Sequence, residues 1–172
     1  MNKQEIADLR ISYKKGKLDK ADLDEDPIQQ FHIWFKQALE TASHEPNAVH
    51  LATANKEGRP SGRFVLLKGY DERGFKIYTN YESRKGKELQ ENPYAALTFY
   101  WYELERQVRI EGKVYKLSRE ESKSYFDSRP RGSRLGAWAS NQSKSIDSAS
   151  VLQERLDELE KQYPNDEIPL PP

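Results

Sequence analysis

The sequence predicts one mainly β domain, a β-barrel flanked by helices, and three observations carry that reading. The middle of the chain runs in short β-branched and aromatic stretches, punctuated by NKEG, YDERG and ENP turn signals. Apolar residues at helical spacing recur on both sides of it. The length, 172 residues, suits about one domain of roughly 150.

In chain order, Ile6, Leu9, Arg10 and Tyr13 fall three and four residues apart. That spacing predicts a short amphipathic helix over residues 3–15, stopped by Gly16. Residues 17–26, KLDKADLDED, read as an acidic linker. Asp26 and Pro27 make a good N-cap and first-turn pair, after which Ile28, Phe31, Trp34, Phe35, Ala38 and Leu39 trace one stripe to about residue 43. From Asn47 the period changes. AVHLATAN, GRPSGRFVLLKGY, GFKIYTN, AALTFYWYE and RQVRIEGKVYKL predict a meander of five or more antiparallel strands. In the last run Val108, Ile110 and Val114 share one parity, while Gln107, Arg109, Glu111 and Lys113 share the other, so one face is buried and one is polar. Helical signals return at 118–127, 133–139 and 149–163, before an extended tail NDEIPLPP. The chain divides into a helical arm (1–46), the barrel (47–147) and a C-terminal helix with its tail (148–172), all within one domain.

Composition excludes several function classes. Charged residues make up 33% of the chain and no stretch approaches the ~18 consecutive apolar residues of a membrane span. The N-terminus alternates charge with isolated apolar residues, unlike a secretory signal, so a cytoplasmic location is expected. The absence of cysteine removes disulfides, thiolate metal sites and thiol nucleophiles. His32, His44 and His50 lack a metal-ligand spacing, and there is no dinucleotide-binding glycine motif, Walker A pattern or H-E-x-x-H.

Charge is balanced globally, with 28 Lys and Arg against 28 Asp and Glu, which argues against a coat for a nucleic-acid backbone. Locally it is not. Residues 59–87 carry eight cations against three acids, and residues 106–134 carry nine against four. Two basic segments in a neutral chain suit a small anionic ligand, the plain alternative being solvated surface. Phe99, Tyr100, Trp101 and Tyr102 could stack bases in a single-strand binder, but in a neutral chain they read better as barrel core and interface.

The cations fall into patterns. Arg63 and Lys68 bracket a four-residue apolar run, and strand alternation puts them on opposite faces, so they should serve different ligands or different parts of one. As edge charges they would instead guard a strand from aggregation. Tyr78 and Thr79 lead into a helix that Ser83 can cap, with Arg84 and Lys85 in its first turn. Cations are disfavoured there unless an anion sits at the helix N-terminus. Tyr125, Arg129 and Ser133 recur every four residues around a break at Pro130 and could converge on a second phosphate, or simply mark a helix end. Arg10 and Tyr13 would face the same way and could cover a site as a lid. Gln107, Gln142 and Ser143 offer uncharged groups able to read a heterocycle edge.

Taken together, RFVLLK, YTNYESRKG, ERQVRIEG, YFDSRPRGSRLGAWASNQS and the closing IPLPP resemble the pyridoxamine 5'-phosphate oxidase family, over nearly the whole chain from the R-x-x-Y at Arg10 and Tyr13 onward. The resemblance implies a split β-barrel homodimer with FMN at the subunit interface, acting on a small molecule and on neither nucleic acid nor membrane. It implies flavin contacts from Arg63, the backbone of Val65 and Leu66, Tyr78, Thr79, Arg84, Lys85, Gln107, Gln142 and Ser143. It implies substrate contacts from Lys68, Tyr125, Arg129 and Ser133, with Arg10 and Tyr13 as the lid. The implied reaction oxidises pyridoxamine or pyridoxine 5'-phosphate to pyridoxal 5'-phosphate, with oxygen as acceptor and peroxide as product. No residue here is compelled to act as a general base. The alternatives are another split-barrel flavoprotein, such as a flavin reductase, or a nucleic-acid binding module. The family pattern continues past I-P-L-P into a further strand and an R-x-H pair, so the natural polypeptide is expected to extend beyond Pro172, and a form ending there is expected to turn over poorly.

Overall fold

The computed structural model describes residues 3–41 and 44–172. Its first long helix, α2 (Pro27–Thr41), follows the short α1 (Lys3–Ala7) and starts where the sequence places it. The Asp26 carboxylate accepts the Ile28 N–H at 2.8 Å, and Pro27 occupies the position that needs no N–H donor. Phe31 and Ala38 are buried, but Leu39 is 58% exposed and leaves the predicted stripe. The expected extension to residue 43 runs into residues outside those described.

Six strands follow: β1 (Ala48–Ala54), β2 (Pro60–Leu66), β3 (Gly69–Asp71), β4 (Gly74–Lys76), β5 (Tyr94–Trp101) and β6 (Arg106–Lys113). All pairings are antiparallel, in a four-stranded sheet of order β2-β1-β5-β6 and a separate β3-β4 hairpin. This corrects two expectations. The strands do not meander, because β1 takes β5 as its second neighbour, pairing Leu51 with Leu97. The sheet is also open, with β2 and β6 as its edges, so no closed barrel forms among the described residues. Alternation reveals that a strand has a buried face; it carries no information about which strand lies beside it.

The inner face packs Val49, Leu51, Leu97, Phe99 and Trp101 against Phe31 of α2. Phe31 meets Tyr70 and Phe75 edge-on, at centroid distances of 4.9 and 4.8 Å, which ties the hairpin to the same core. Each such side chain fully removed from water contributes about 1.5–3 kcal/mol. Tyr100 and Tyr102, of opposite parity to Phe99 and Trp101, are exposed. On β6, Gln107 and Arg109 are exposed while Val108 and Ile110 turn inward, as their alternation predicts.

Four helices complete the chain: α3 (Arg84–Glu91), α4 (Arg119–Asp127), α5 (Arg131–Ala139) and α6 (Ala149–Gln162). Ser118 caps α4 in a reciprocal capping box with Glu121, and Pro130 separates α4 from α5. Phe126, Leu135 and Ile168 form a second core with Leu156, Leu159 and Trp138 around it. The extended tail is fastened across α5. The Arg134 guanidinium donates to the Asp166 carbonyl and carboxylate, Arg131 donates to the Tyr163 and Asn165 carbonyls, and the Trp138 indole N–H donates to the Pro169 carbonyl.

The N-terminal arm differs most from expectation. Helix α1 ends at Ala7, so Arg10 and Tyr13 do not share a helical face. Leu9, Ile11 and Tyr13 are at least 70% exposed, and a helix this short does not persist without a surface to bury against. Instead the backbone N–H groups of Lys14 and Lys15 both donate to the Glu105 carboxylate, at 2.7 and 2.9 Å, which docks the arm at the β5–β6 turn. No described helix is long and apolar enough to cross a membrane.

Candidate functional site

The site is built where α3 meets the sheet. Ser83 accepts the Gly86 N–H and starts α3, and this places Arg84 and Lys85 in the first turn. Arg84 is largely exposed and its Nε donates to Glu88 at 2.8 Å. Lys85 is only 7% exposed, and its Nζ donates to the Gln142 side-chain oxygen at 2.6 Å and to Ser83 at 3.4 Å. No carboxylate lies within ion-pair distance of it among the described residues. Burial, together with the nearby Arg63 guanidinium, pushes the Lys85 ammonium below its ordinary value. A buried cation without a counter-charge is costly, and an anionic ligand at this helix N-terminus would relieve it.

Behind this turn lies a polar cluster reaching into the sheet. Glu88, 6% exposed, accepts from Thr53 and Ser61 at 2.5 Å each and from Arg63 at 3.3 Å. Arg63 also donates to Thr53, Ser61 and the Leu51 carbonyl, so four of its five N–H donors are used inside the chain. Burial alone would raise the Glu88 carboxyl, but the hydrogen bonds from Ser61, Thr53, Arg84 and Arg63 outweigh it and hold the group at about 2.

Two cavities open beside the start of α3, one lined by Gly86 and the other by Arg84, with Gln142 on both. The larger, about 650 Å³, is lined by Tyr78, Thr79, Tyr125, Arg129, Ser133 and Gln142 among its polar groups, with Ile77, Val114, Leu117, Phe126 and Leu170 on its apolar wall. Tyr78 and Tyr125 stack there with centroids 3.6 Å apart. Burial pushes the Tyr78 phenol above its ordinary value. The smaller cavity, about 430 Å³, is bordered by Arg84, Lys87, Glu88, Gln142 and Ser143. Ser143 sits at φ 68, a left-handed conformation costing a non-glycine residue about 1–2 kcal/mol and often found in binding loops.

The structure thus brings together Tyr78, Thr79, Arg84, Lys85, Gln142 and Ser143 from one predicted set and Tyr125, Arg129 and Ser133 from the other. Arg63 approaches through Glu88. Val65 and Leu66 end β2, half-buried, outside both cavities, and Gln107 is exposed on β6. The strand stops before Lys68, so the parity argument does not reach it. Lys68 is exposed at the entry to the hairpin, while Arg63 points into the cluster, and the two share no partner. Arg10 and Tyr13 lie outside both cavities in this chain. Sequence reasoning missed Glu88. Its signal was an acid four residues after Arg84, just past a strongly basic segment, the spacing of a helical ion pair.

A sequence profile described as pyridoxamine 5'-phosphate oxidase matches residues 35–163. The chain belongs to the pyridoxamine 5'-phosphate oxidase family. Family members named pyridoxine/pyridoxamine 5'-phosphate oxidase include one from Paraburkholderia phytofirmans, 58% identical over 97% of this chain and 78% of that protein, and one from Cyanothece sp., 55% identical over the same shares. Among solved structures, PhzG from Burkholderia lata 383, in complex with tetrahydrophenazine-1-carboxylic acid, superposes with a TM-score of 0.81 at 30% identity, covering 88% of this chain and 74% of its own. A pyridoxamine 5'-phosphate oxidase-related, FMN-binding protein from Nostoc punctiforme shares the fold, with a TM-score of 0.60 at 18% identity. The antiparallel sheet with flanking helices is therefore the architecture of this family.

Proposed function

We propose that this member oxidises pyridoxamine and pyridoxine 5'-phosphate to pyridoxal 5'-phosphate, with FMN as cofactor and oxygen as acceptor. The observation that carries the reading is the placing of two phosphate-suited groups at adjoining cavities: Arg84 on the smaller, with the buried Lys85 next to it bonded to the shared Gln142, and Tyr125, Arg129 and Ser133 on the larger. FMN fits the residues present: the buried Lys85 ammonium lacks a counter-charge, and the α3 N-terminus offers unpaired N–H groups beside it.

In this reading Arg84 and Lys85 hold the flavin phosphate, and Tyr78, Thr79, Gln142 and Ser143 contact the rest of the cofactor. When bound, FMN supplies a two-electron acceptor that oxygen restores, with release of peroxide. The Arg129 guanidinium, with the Tyr125 and Ser133 hydroxyls, anchors the substrate phosphate, and anchoring one end fixes the C4' carbon at the other. Ile77, Val114, Leu117 and Phe126 give the same cavity apolar lining. Oxidation of the amine yields an imine, which water hydrolyses to aldehyde and ammonia; oxidation of the alcohol yields the aldehyde directly. The reading includes a homodimer with the cofactor between subunits. Its support is the outer face of the sheet, where Phe64 on β2 and Tyr100 on β5 are 76% and 56% exposed and Tyr100 pairs with Gln107 of β6.

The test is the visible spectrum of the purified protein, followed by product formation. Flavin absorption is expected, as purified or after adding FMN, together with pyridoxal 5'-phosphate formation and matching oxygen uptake. A protein that takes up no flavin defeats the proposal. One that takes up flavin but reduces it only with a nicotinamide donor is a reductase instead.

A further inference from the structure

Glu88 is a buried carboxylate with no part in the chemistry outlined above, yet it contacts both Arg63 and Arg84. Oε2 accepts from the Thr53 and Ser61 hydroxyls and from Arg63, and Oε1 accepts from Arg84. The proton order of the cluster follows. Both hydroxyl protons point at Glu88, which leaves the oxygen lone pairs of Thr53 and Ser61 free to accept from Arg63, at 2.6 and 2.5 Å. Glu88 thus fixes Arg63 directly and through two hydroxyls. Arg84, which lines the smaller cavity, is gripped at Nε, and its two terminal nitrogens have no partner among the described residues.

We infer that Glu88 is a positioning residue for phosphate recognition: its carboxylate orients Arg84 and ties Arg63 down near Lys85, the geometry in which Arg84 and Lys85 receive a phosphomonoester with the Arg63 charge behind them. This rests on the reading of the site as an FMN site. The charge count agrees with it. Three cationic side chains against one carboxylate leave a net +2, which matches the −1.5 to −2 of a phosphomonoester near neutral pH. The carboxyl is ionised throughout the physiological range, since its hydrogen bonds hold it at about 2.

Two opposed effects decide what its loss does. Removing an anion raises the positive potential, which would strengthen phosphate binding; releasing two guanidiniums restores their rotamer freedom, which would weaken it. Arg84 is exposed and otherwise untethered, and Arg63 would lose both its direct partner and the hydroxyl order, so the loss of order dominates.

Titrating the flavin-free full-length chain with FMN and with riboflavin tests this, because riboflavin lacks the phosphate. Glu88→Ala is expected to weaken FMN binding about 10- to 100-fold while changing riboflavin affinity less than twofold. Glu88→Gln, which keeps one acceptor oxygen and the shape, should fall between Glu88→Ala and the parent. Equal losses for both ligands would make Glu88 merely structural, and FMN binding as tight as the parent's or tighter would show that charge outweighs order; either result overturns the inference. If Glu88→Ala does not fold, the FMN-to-riboflavin ratio of Glu88→Gln decides alone, and an unchanged ratio overturns it. A parent chain that does not prefer FMN over riboflavin would instead defeat the underlying site assignment.

Discussion

Tyr78 and Tyr125 lie face to face, ring centroids 3.6 Å apart and planes 9° from parallel. One ring follows β4 and the other belongs to α4, so this stack joins the two groups of residues to which the proposed function gives the cofactor and the substrate. A stacked pair of half-buried rings is worth about 0.5–1.5 kcal/mol beyond its area. A double-mutant cycle of Tyr78→Leu and Tyr125→Leu, read by denaturant unfolding, should return a coupling energy in that range. Strict additivity would mean that the contact contributes nothing.

The two groups of cations should separate kinetically. Lys85→Ala is expected to lower FMN affinity about tenfold or more, because a charge-assisted bond to the phosphate is lost. Arg129→Ala should leave flavin bound and raise the substrate KM, and Arg129→Lys should recover only part of it, since an ammonium cannot form the bidentate contact. Steady-state kinetics on the flavin-loaded variants checks this. Release of FMN by Arg129→Ala with KM unchanged would reverse the assignment.

Acid should expose Glu88. Its carboxyl is held at about 2 against an ordinary 4.5, so the unfolded chain binds the extra proton between those values and stability rises with pH across them. The contribution is fully present above about pH 4.5 and is lost as pH falls toward 2; at neutral pH it amounts to about 3 kcal/mol. Asp71 and Glu121 are also lowered by their cationic partners, so the informative quantity is a difference. Unfolding free energies of the parent and of Glu88→Gln should converge between pH 5 and pH 3, and parallel curves would count against the buried network.

The tail should loosen when its clamp is cut. Arg134 is 7% exposed, whereas the Asp166 carboxylate it meets is 77% exposed. Arg134→Ala therefore leaves no buried charge behind and should cost about 1–3 kcal/mol, through lost hydrogen bonds and stem packing. Hydrogen exchange at the Ile168 amide, which donates to the Asp166 carbonyl, should speed up while the β1 and β5 amides stay protected.

Local chemistry was legible in the sequence and long-range partnership was not. Asp26, Ser83 and Ser118 announce their helices because a cap is settled within three residues, and Pro130 splits α4 from α5 for the same reason. The arm misled because Ile6 and Leu9 have helical spacing but nothing to pack against. Leu39 misled similarly, lying at the stripe's edge beyond the reach of the sheet. Arg84, Lys85, Tyr125 and Arg129 were visible as cations and hydroxyls in unusual places. Glu88 was hidden because its importance comes from Thr53 and Ser61, which reach it only once β1, β2 and α3 are assembled.

The strand order also bears on how the chain reaches this state. Strand β1 has one neighbour close at hand, the β2 hairpin partner, and another that arrives only with Leu97. During synthesis at about 5–20 residues per second, roughly 45 residues of delay leaves the inner edge of β1 bare for several seconds. Non-local pairing of this kind slows folding, because the intervening loop must close before any contact rewards it. Through that interval Val49 and Leu51 have no sheet neighbour on one side, and the nascent chain is most open to capture by chaperones or by its own copies.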